Sequence, residues 1–181
     1  MTTDDEEKAT PTDKPSVIRE TDDDARALAR SLLAAAPQVA LAVLDPASGF
    51  PFVSRVLLAL DSDGVPAILV SGLSAHTKAL SLDPRASLLV GESGKGDPLA
   101  HPRLTVQCLA TAIDRDSDVH PRLRTHFLEH HPKSKLYIDF PDFRFFRLVP
   151  QSGHLNGGFG RAFVLAGQDL IIAVSDTTAD G

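Results

Sequence analysis

The fold is decided by residues 39–71, which read VALAVLDPASGFPFVSRVLLALDSDGVPAILVS. Three apolar runs, 39–44, 52–60 and 65–71, are separated by the polar stretches Asp45–Gly49 and Asp61–Gly64. Short runs of β-branched and aromatic residues between turns rich in Gly, Pro and Asp are typical of consecutive antiparallel strands. The stretch therefore predicts a three-stranded antiparallel meander.

Outward from the meander, the pattern predicts further strands at 86–90, 104–112 and 143–149, and helices at 25–36, 74–82 and 117–131. The first helix is expected to begin after Thr21 as its N-cap, with three aspartates in the first turn. Six or seven strands with two or three helices suit a mainly β (α+β) fold, an antiparallel barrel with flanking helices, because closure removes exposed sheet edges.

Acidic residues are concentrated near the N-terminus. The first 24 residues contain nine acids and three bases, whereas the other 157 contain fifteen of each. We expect residues 1–20 to be a disordered acidic tail, 21–172 to form one domain and 173–181 to be a flexible tail. The neutral domain lacks the basic face that nucleic acids require. No stretch resembles a membrane span or a signal peptide, so we expect a cytoplasmic protein with no membrane partner.

Arg55 is the first candidate binding residue. It lies within a run, 52–60, that is otherwise almost entirely apolar. A guanidinium in a strand of this kind is costly unless an anion faces it. Two interpretations are open: an edge strand with Arg55 in solvent or paired with a carboxylate, or a ligand for a phosphate group.

The second candidate is the segment from Ser71 to Lys78, SGLSAHTK. A strand ends there in small and hydroxyl residues, and a helix begins with His76, Thr77 and Lys78 as possible phosphate ligands. The alternative is a serine N-cap with an exposed histidine and lysine. Because Arg55 and this segment belong to neighbouring strands of the meander, together they predict a phosphate site.

Other chemistry-bearing residues give weaker signals. His126 and His130 have the i, i+4 spacing of helical metal ligands, but a solvated helix face is favoured and we predict no metal site. The single cysteine, Cys108, lies on the apolar side of its strand and is expected to be an inert buried thiol. No catalytic acid, base or nucleophile is identified.

The chain resembles the pyridoxamine 5′-phosphate oxidase-like split barrels, and within them the haem-utilisation (HugZ-like) branch. The resemblance covers residues 25–170. The matching stretches are, in chain order, LAVLD at 41–45, GFP at 49–51, SGLSAHTKAL at 71–80, DPRA at 83–86, GDPL at 96–99, PRLT at 102–105, DFRFFRL at 142–148 and GFGRA at 158–162.

This resemblance implies an FMN site at the interface of a homodimer. The family's phosphate-binding arginine falls on Arg55, and the backbone of Val56 and Leu57 is expected to line the flavin ring. Ser71 matches the family's small hydroxyl residue, and His76, with Thr77 and Lys78 beside it, matches its basic phosphate ligands. The implied function is an FMN-dependent oxidoreductase whose substrate and electron donor the sequence does not identify.

Two departures from the family keep other functions open. The vitamin oxidases have a lysine where this chain has Leu60 and an arginine where it has Ala75, so the resemblance does not extend to their substrate. Haem ligation in the family uses a C-terminal histidine, whereas the last histidine here is His154. The alternatives are a haem-binding or haem-degrading protein, and a flavin-binding module without redox turnover.

Overall fold

The strands and helices alternate irregularly along the chain. The computed structural model describes residues 18–158 and 160–171. The strands are β1 (Ile18–Arg19), β2 (Gln38–Leu44), β3 (Pro51–Leu60), β4 (Pro66–Ser71), β5 (Arg85–Val90), β6 (Arg103–Ala112), β7 (Phe143–Asn156) and β8 (Ala162–Ala166). The helices are α1 (Asp23–Ala35), α2 (Ala75–Leu82) and α3 (Val119–His130). Short 3₁₀ turns occupy Pro98–Ala100, Pro132–Leu136 and Gly167–Leu170.

Six of these strands close into an antiparallel barrel. Strands β2, β3 and β4 form the predicted meander, β4 pairs with β7, β7 with β6, β6 with β5, and β5 returns to β2. The remaining strands extend one edge, since β8 pairs with β7 and β1 pairs with β8. The expected mainly β barrel with flanking helices is therefore confirmed, with eight strands among the described residues instead of six or seven.

The sequence prediction differs from the structure mainly at the end of the barrel. Strand β7 was expected to end at Val149 but continues to Asn156, and β8 was not predicted. Pro150 obscured the continuation, because proline cannot donate a ladder hydrogen bond. The β6–β7 register shifts between Gln107 and Cys108, a bulge next to the position where Cys108 faces Pro150.

The start of the domain also differs in detail. The N-cap of α1 is Asp22, whose carboxylate accepts a hydrogen bond from the Ala25 amide at 2.8 Å. The hydroxyl of Thr21, the predicted cap, instead donates to the carbonyl of Val164. Ile18 and Arg19, which the sequence assigned to the tail, pair with β8. The rest of the predicted N-terminal tail and the whole predicted C-terminal tail lie outside the described residues.

Two separate apolar clusters stabilise this arrangement. The larger one fills the barrel and includes the fully buried Leu41, Leu88 and Leu148. The smaller one lies outside the barrel, where Leu123 and Phe127 of α3 pack on Phe145 of β7 and on residues of β3 and β4. Helix α3 therefore covers one part of the outer surface of the barrel, which we call the covered face.

Charge pairs fix the edge of the covered face. Asp61, whose side chain is fully buried in the β3–β4 turn, lies 3.1 Å from Nε of Arg147 on β7 and 3.3 Å from Arg122 on α3. Arg147 also pairs with Asp63. The Arg147 Nε makes no aligned hydrogen bond, so its attraction to Asp61 is mainly that of opposite charges at short range. The pairs join the meander to β7 and to α3.

None of the described helices has the length and apolar character needed to cross a membrane.

Candidate functional site

The segment after β4 is held by an internal hydrogen-bond network. The hydroxyl of Ser71 donates to the carboxylate of Asp142 at 2.6 Å and accepts from the amide of Leu73 at 3.2 Å. The amide of Gly72 donates to the backbone carbonyl of Asp142 at 2.6 Å. Thr77 is 2% exposed, and its hydroxyl donates to the carbonyl of Ser71. The hydroxyls of Ser71 and Thr77 are thus already engaged, and a carboxylate lies beside them.

His76 is turned toward strand β3. Its Nδ1 lies 3.1 Å from the hydroxyl of Ser54, within hydrogen-bond distance. The ring is about half-buried, and this desolvation lowers the pKa of His76 below the usual 6.5, because burial disfavours the charged imidazolium. The neutral ring is therefore favoured, and His76 acts here as a hydrogen-bonding group more than as a fixed positive charge.

The start of α2 keeps some capacity for an anion. Ser74, its N-cap residue, makes no side-chain hydrogen bond to the first turn, and no acidic residue lies in that turn. Amides at an uncapped helix N-terminus are donors for phosphate or carboxylate oxygens. Lys78 is exposed one turn further along.

Arg55 points to the side of β3 opposite to Ser54, the residue that contacts His76. Successive strand residues face opposite sides, so Ser54 lies on the side of Val56 and Leu58, which belong to the barrel interior. Arg55 shares the outer side with Leu57, which packs against the covered-face cluster. Among the described residues, no hydrogen bond or ion pair connects the side chain of Arg55 to any other group.

The exposed Arg55 lines a cleft of about 470 Å³ on the outside of the barrel. The walls come from the C-terminal end of α1, from β2 and from the end of β5, and most of them are apolar. The other lining residues are Leu32, Ala35, Ala36, Pro37, Gln38, Val39, Ala40, Leu89, Val90, Gly91 and Glu92. A cation at the mouth of an apolar cleft suits a ligand that combines a flat apolar body with an anionic group.

The predicted site residues are thus divided between two places. The structure brings Ser71, Thr77 and His76 together around the start of α2, and it leaves Arg55 in the cleft on the outer side of β3. The sequence analysis missed Ser54 and Asp142 as partners of this segment. Asp142 adjoins β7, which is far away in sequence, so only the β4–β7 pairing brings its carboxylate to Ser71.

The cleft opens onto an extended row of residues that faces outward. Pairing registers align, in order across β3, β2, β5, β6, β7 and β8, the residues Arg55, Ala40, Leu89, Thr105, His154 and Val164. Leu89 and Val164 are 48% and 43% exposed, and His154 is exposed as well. Directly opposed antiparallel residues share a face. We call this outer row and its neighbours the bare face, since α3 packs on the covered face and the end of α1 borders the row at the Arg55 cleft.

The buried cysteine takes no part in this surface. Burial raises the pKa of the Cys108 thiol to about 12, so the reactive thiolate is scarce at neutral pH. The prediction of a buried cysteine is confirmed, because Cys108 is 3% exposed within the barrel.

The closed six-stranded barrel with an added strand pair and flanking helices defines the class of protein, a mainly β antiparallel barrel. The description of the matching family is CREG, beta-barrel, and the match covers residues 20–169. The chain belongs to this family.

Two relatives are similar over much of the chain. The non-canonical heme oxygenase HOZ of Arabidopsis thaliana, described as chloroplastic, is 33% identical over 120 residues, which are 66% of this chain and 36% of the plant protein. The heme oxygenase HutZ of Vibrio cholerae is 30% identical over 137 residues, 72% of this chain and 75% of HutZ. The chain therefore spans about a third of the plant relative and three quarters of the bacterial one.

Among solved structures, similar proteins have names that refer to haem, to FAD and to pyridoxamine 5′-phosphate oxidase. A heme binding protein from Mycobacterium smegmatis is 30% identical, with a TM-score of 0.74 over 88% of this chain and 61% of that one. A FAD-binding protein from Mesorhizobium loti is 22% identical, with a TM-score of 0.56 over 68% and 85%. A structure from Listeria innocua assigned to the pyridoxamine 5′-phosphate oxidases is 18% identical, with a TM-score of 0.53 over 69% and 92%. At these lower identities the last two show the shared fold.

Proposed function

We propose that this protein binds haem on the outside of its barrel, with Arg55 pairing with a haem propionate. The observation that carries the proposal is the exposed Arg55 guanidinium, which has no partner among the described residues and lies in a cleft with mostly apolar walls. Arginine's planar fork binds carboxylates in two parallel hydrogen bonds. Haem offers both a flat apolar ring and carboxylates, so it matches the cleft in both respects.

The relatives support haem over other ligands of this shape. The names of the two curated relatives and of the mycobacterial structure all refer to haem, at identities of 30–33%. The FAD-binding neighbour and the one assigned to the pyridoxamine 5′-phosphate oxidases are 22% and 18% identical and share the fold.

We propose that His154 of a second copy completes the iron coordination. No histidine lines the Arg55 cleft. Along the bare face, His154 lies four strands from Arg55, roughly 19 Å at about 4.8 Å per strand, and the closure of the barrel turns the two side chains in different directions. A haem bound at Arg55 of one chain therefore meets His154 most directly across an interface between two chains.

Exposed apolar residues on the bare face support such a homodimer. Val53, Leu89, Leu109 and Val164 are 40–62% exposed on the outer side of β3, β5, β6 and β8. Large exposed apolar patches on soluble proteins commonly mark interaction sites. We expect a dimer in sedimentation velocity for the full chain and a monomer for Leu89→Asp, whereas a wild-type monomer at all concentrations contradicts the two-chain site.

A haemin titration tests the haem proposal. We expect the wild-type protein to give a saturable Soret shift, and Arg55→Gln to weaken haemin binding at least about tenfold, because a charge-assisted hydrogen bond is worth about 1.5–3 kcal/mol. His154→Gln is expected to change the position of the Soret band, since it alters iron coordination. The matched control is Arg144→Gln, an exposed arginine on β7 outside the cleft.

Two results contradict the proposal. One is an absent Soret shift for wild-type protein that remains folded by circular dichroism. The other is an equal loss of affinity in Arg55→Gln and Arg144→Gln, which indicates nonspecific attraction between haem carboxylates and surface charge.

A second candidate is FMN binding at the start of α2, as an oxidoreductase or as a flavin module without turnover. The specific observation in its favour is the uncapped α2 N-terminus with His76 and Lys78 beside it. The neighbouring Asp142 carboxylate opposes a phosphate there. We expect Lys78→Gln to weaken FMN binding if this candidate is correct, measured by quenching of flavin fluorescence. A folded wild-type protein that leaves FMN fluorescence unchanged excludes it.

A further inference from the structure

Three possible metal ligands lie together on helix α3. His126, Glu129 and His130 have i, i+3 and i+4 spacing, and each offers a ligand atom within 4.8 Å of the other two. The His126 and His130 rings are 4.5 Å apart, and Nδ1 of His126 lies 3.4 Å from the carboxylate of Glu129. A tetrahedral site with metal–ligand distances near 2.1 Å needs ligand atoms about 3.4 Å apart. The spacing in the cluster is therefore close to the spacing that such a site needs.

A backbone contact orients one of the two histidines. Nδ1 of His130 lies 3.0 Å from the carbonyl oxygen of His126. A carbonyl can only accept a hydrogen bond, so the proton of the neutral ring is on Nδ1 and the lone pair is on Nε2. Ligating histidines in metal sites are commonly fixed in this way, with the second ring nitrogen donating to a carbonyl or carboxylate.

The surroundings of the cluster also favour a cation. His126 and His130 line a cleft of about 300 Å³, together with the last turn of α1 and residues of β3. The last turn of α1 contains no basic side chain, and the carbonyl end of a helix carries a partial negative charge. The lining residues from the end of α1 and the two residues after it, Leu33–Pro37, include no titratable group.

The neighbouring His131 lies outside this group of possible ligand atoms. Its ring is buried, and Nε2 lies 2.7 Å from the carbonyl oxygen of Leu58, which fixes that nitrogen as a donor. His131 instead ties the end of α3 to β3. His126 and His130 therefore remain as the cleft-lining imidazoles of the cluster, and Glu129 lies beside His126.

We propose that His126, Glu129 and His130 form a binding site for Zn²⁺ or a similar divalent transition metal. Two imidazole nitrogens and one carboxylate oxygen are ligands that zinc prefers. Three protein ligands leave a fourth position for water or another small ligand. This site lies on the α3–α1 side of the molecule and does not depend on the proposed haem site.

Equilibrium dialysis of the untagged full chain against Zn²⁺ tests the site. We expect one zinc per wild-type chain. His126→Gln, His130→Gln and Glu129→Gln are each expected to lower the affinity at least about tenfold, because loss even of a group that only supports a ligand typically costs 10–100-fold. The matched controls are His101→Gln and His154→Gln, two histidines outside the cluster, with circular dichroism confirming that every variant is folded.

The double variant His126→Gln/His130→Gln decides the outcome. If it binds as much zinc as the wild-type chain with the same affinity, the proposal is overturned. The same conclusion follows if a control histidine accounts for the bound zinc, or if the wild-type chain binds none. A wild-type stoichiometry of one that is lost in the double variant supports the site, and replacement of Zn²⁺ by Co²⁺ then gives the visible absorption of a tetrahedral centre.

Discussion

The covered face and the bare face are parts of the outer surface of one barrel, yet they have different chemistry. On the covered face, α3 buries Phe127 and Leu123 completely against Phe145. On the bare face, Leu89 and Val164 remain about half-exposed beside His154. In a closed barrel each strand finds its backbone hydrogen-bond partners in the neighbouring strands. An outer apolar residue therefore needs a further helix or chain only to bury its side chain. The covered face therefore stabilises the chain, whereas the bare face is available for a ligand or a second chain.

The largest expected difference is in stability. Phe127→Ala should lower the free energy of unfolding by about 3–5 kcal/mol, because a buried ring is lost and a cavity remains. Leu89→Ala on the bare face should change it by about 0.5 kcal/mol or less, as is usual at exposed positions. Urea unfolding at low protein concentration, where any dimer dissociates, measures both. Equal losses in the two variants contradict the distinction between the faces.

The next largest effect concerns charge pairs. Asp61→Asn removes a fully buried carboxylate and leaves Arg147 with only Asp63, which should cost about 3 kcal/mol. The control is Asp83→Asn in the exposed Asp83–Arg85 pair. Although this pair lowers the pKa of Asp83 to about 2, solvent screens it, and we expect no measurable change in the thermal midpoint. A larger loss in Asp83→Asn than in Asp61→Asn rejects this assignment.

The smallest expected effect is a pH dependence of stability that comes from a histidine on the covered face. The pKa of His120 is lowered from 6.5, first by burial and then by Arg115 and Arg124. The unfolded chain therefore binds this proton more readily, so stability falls as the pH drops below about 6.5. We expect His120→Gln to reduce the loss of stability between about pH 7.5 and 5.5.

His154→Gln on the bare face is the control for this effect, and His76, whose pKa is also lowered, contributes equally in both variants. The urea midpoint at each pH is the measurement. An unchanged slope in His120→Gln, or an equal change in His154→Gln, argues against a covered-face origin.

Much of the barrel could be predicted because its signals are local. The turns at Asp45–Gly49 and Asp61–Gly64 separate the meander strands, and the alternation from Leu104 to Ala112 marks β6. The continuation of β7 past Pro150 and the pairing of β8 could not be predicted in the same way. Their stability comes from partners distant in sequence, such as His154 beside Thr105 and Val164.

In the candidate site, too, the sequence revealed local features and missed contacts between distant residues. The sequence identified Arg55 as an unusual cation and the segment from Ser71 to Lys78 as a strand end followed by a helix. It did not reveal that Asp142 engages Ser71 or that Ser54 meets His76, because these contacts depend on the β4–β7 pairing and on the position of α2 against β3. The sequence predicted a common phosphate site, which stays a prediction.

The sequence by itself determined the strand-rich order, the helix positions and the residues with unusual chemistry, since turn residues and side-chain periodicity act over a few neighbours. Only the tertiary structure decided which side of β3 Arg55 occupies, which part of the barrel α3 covers, and that His126 and His130 border a cleft beside the end of α1. The physical reason is that strand registers and helix packing join residues far apart in the chain, and no local pattern encodes those partners.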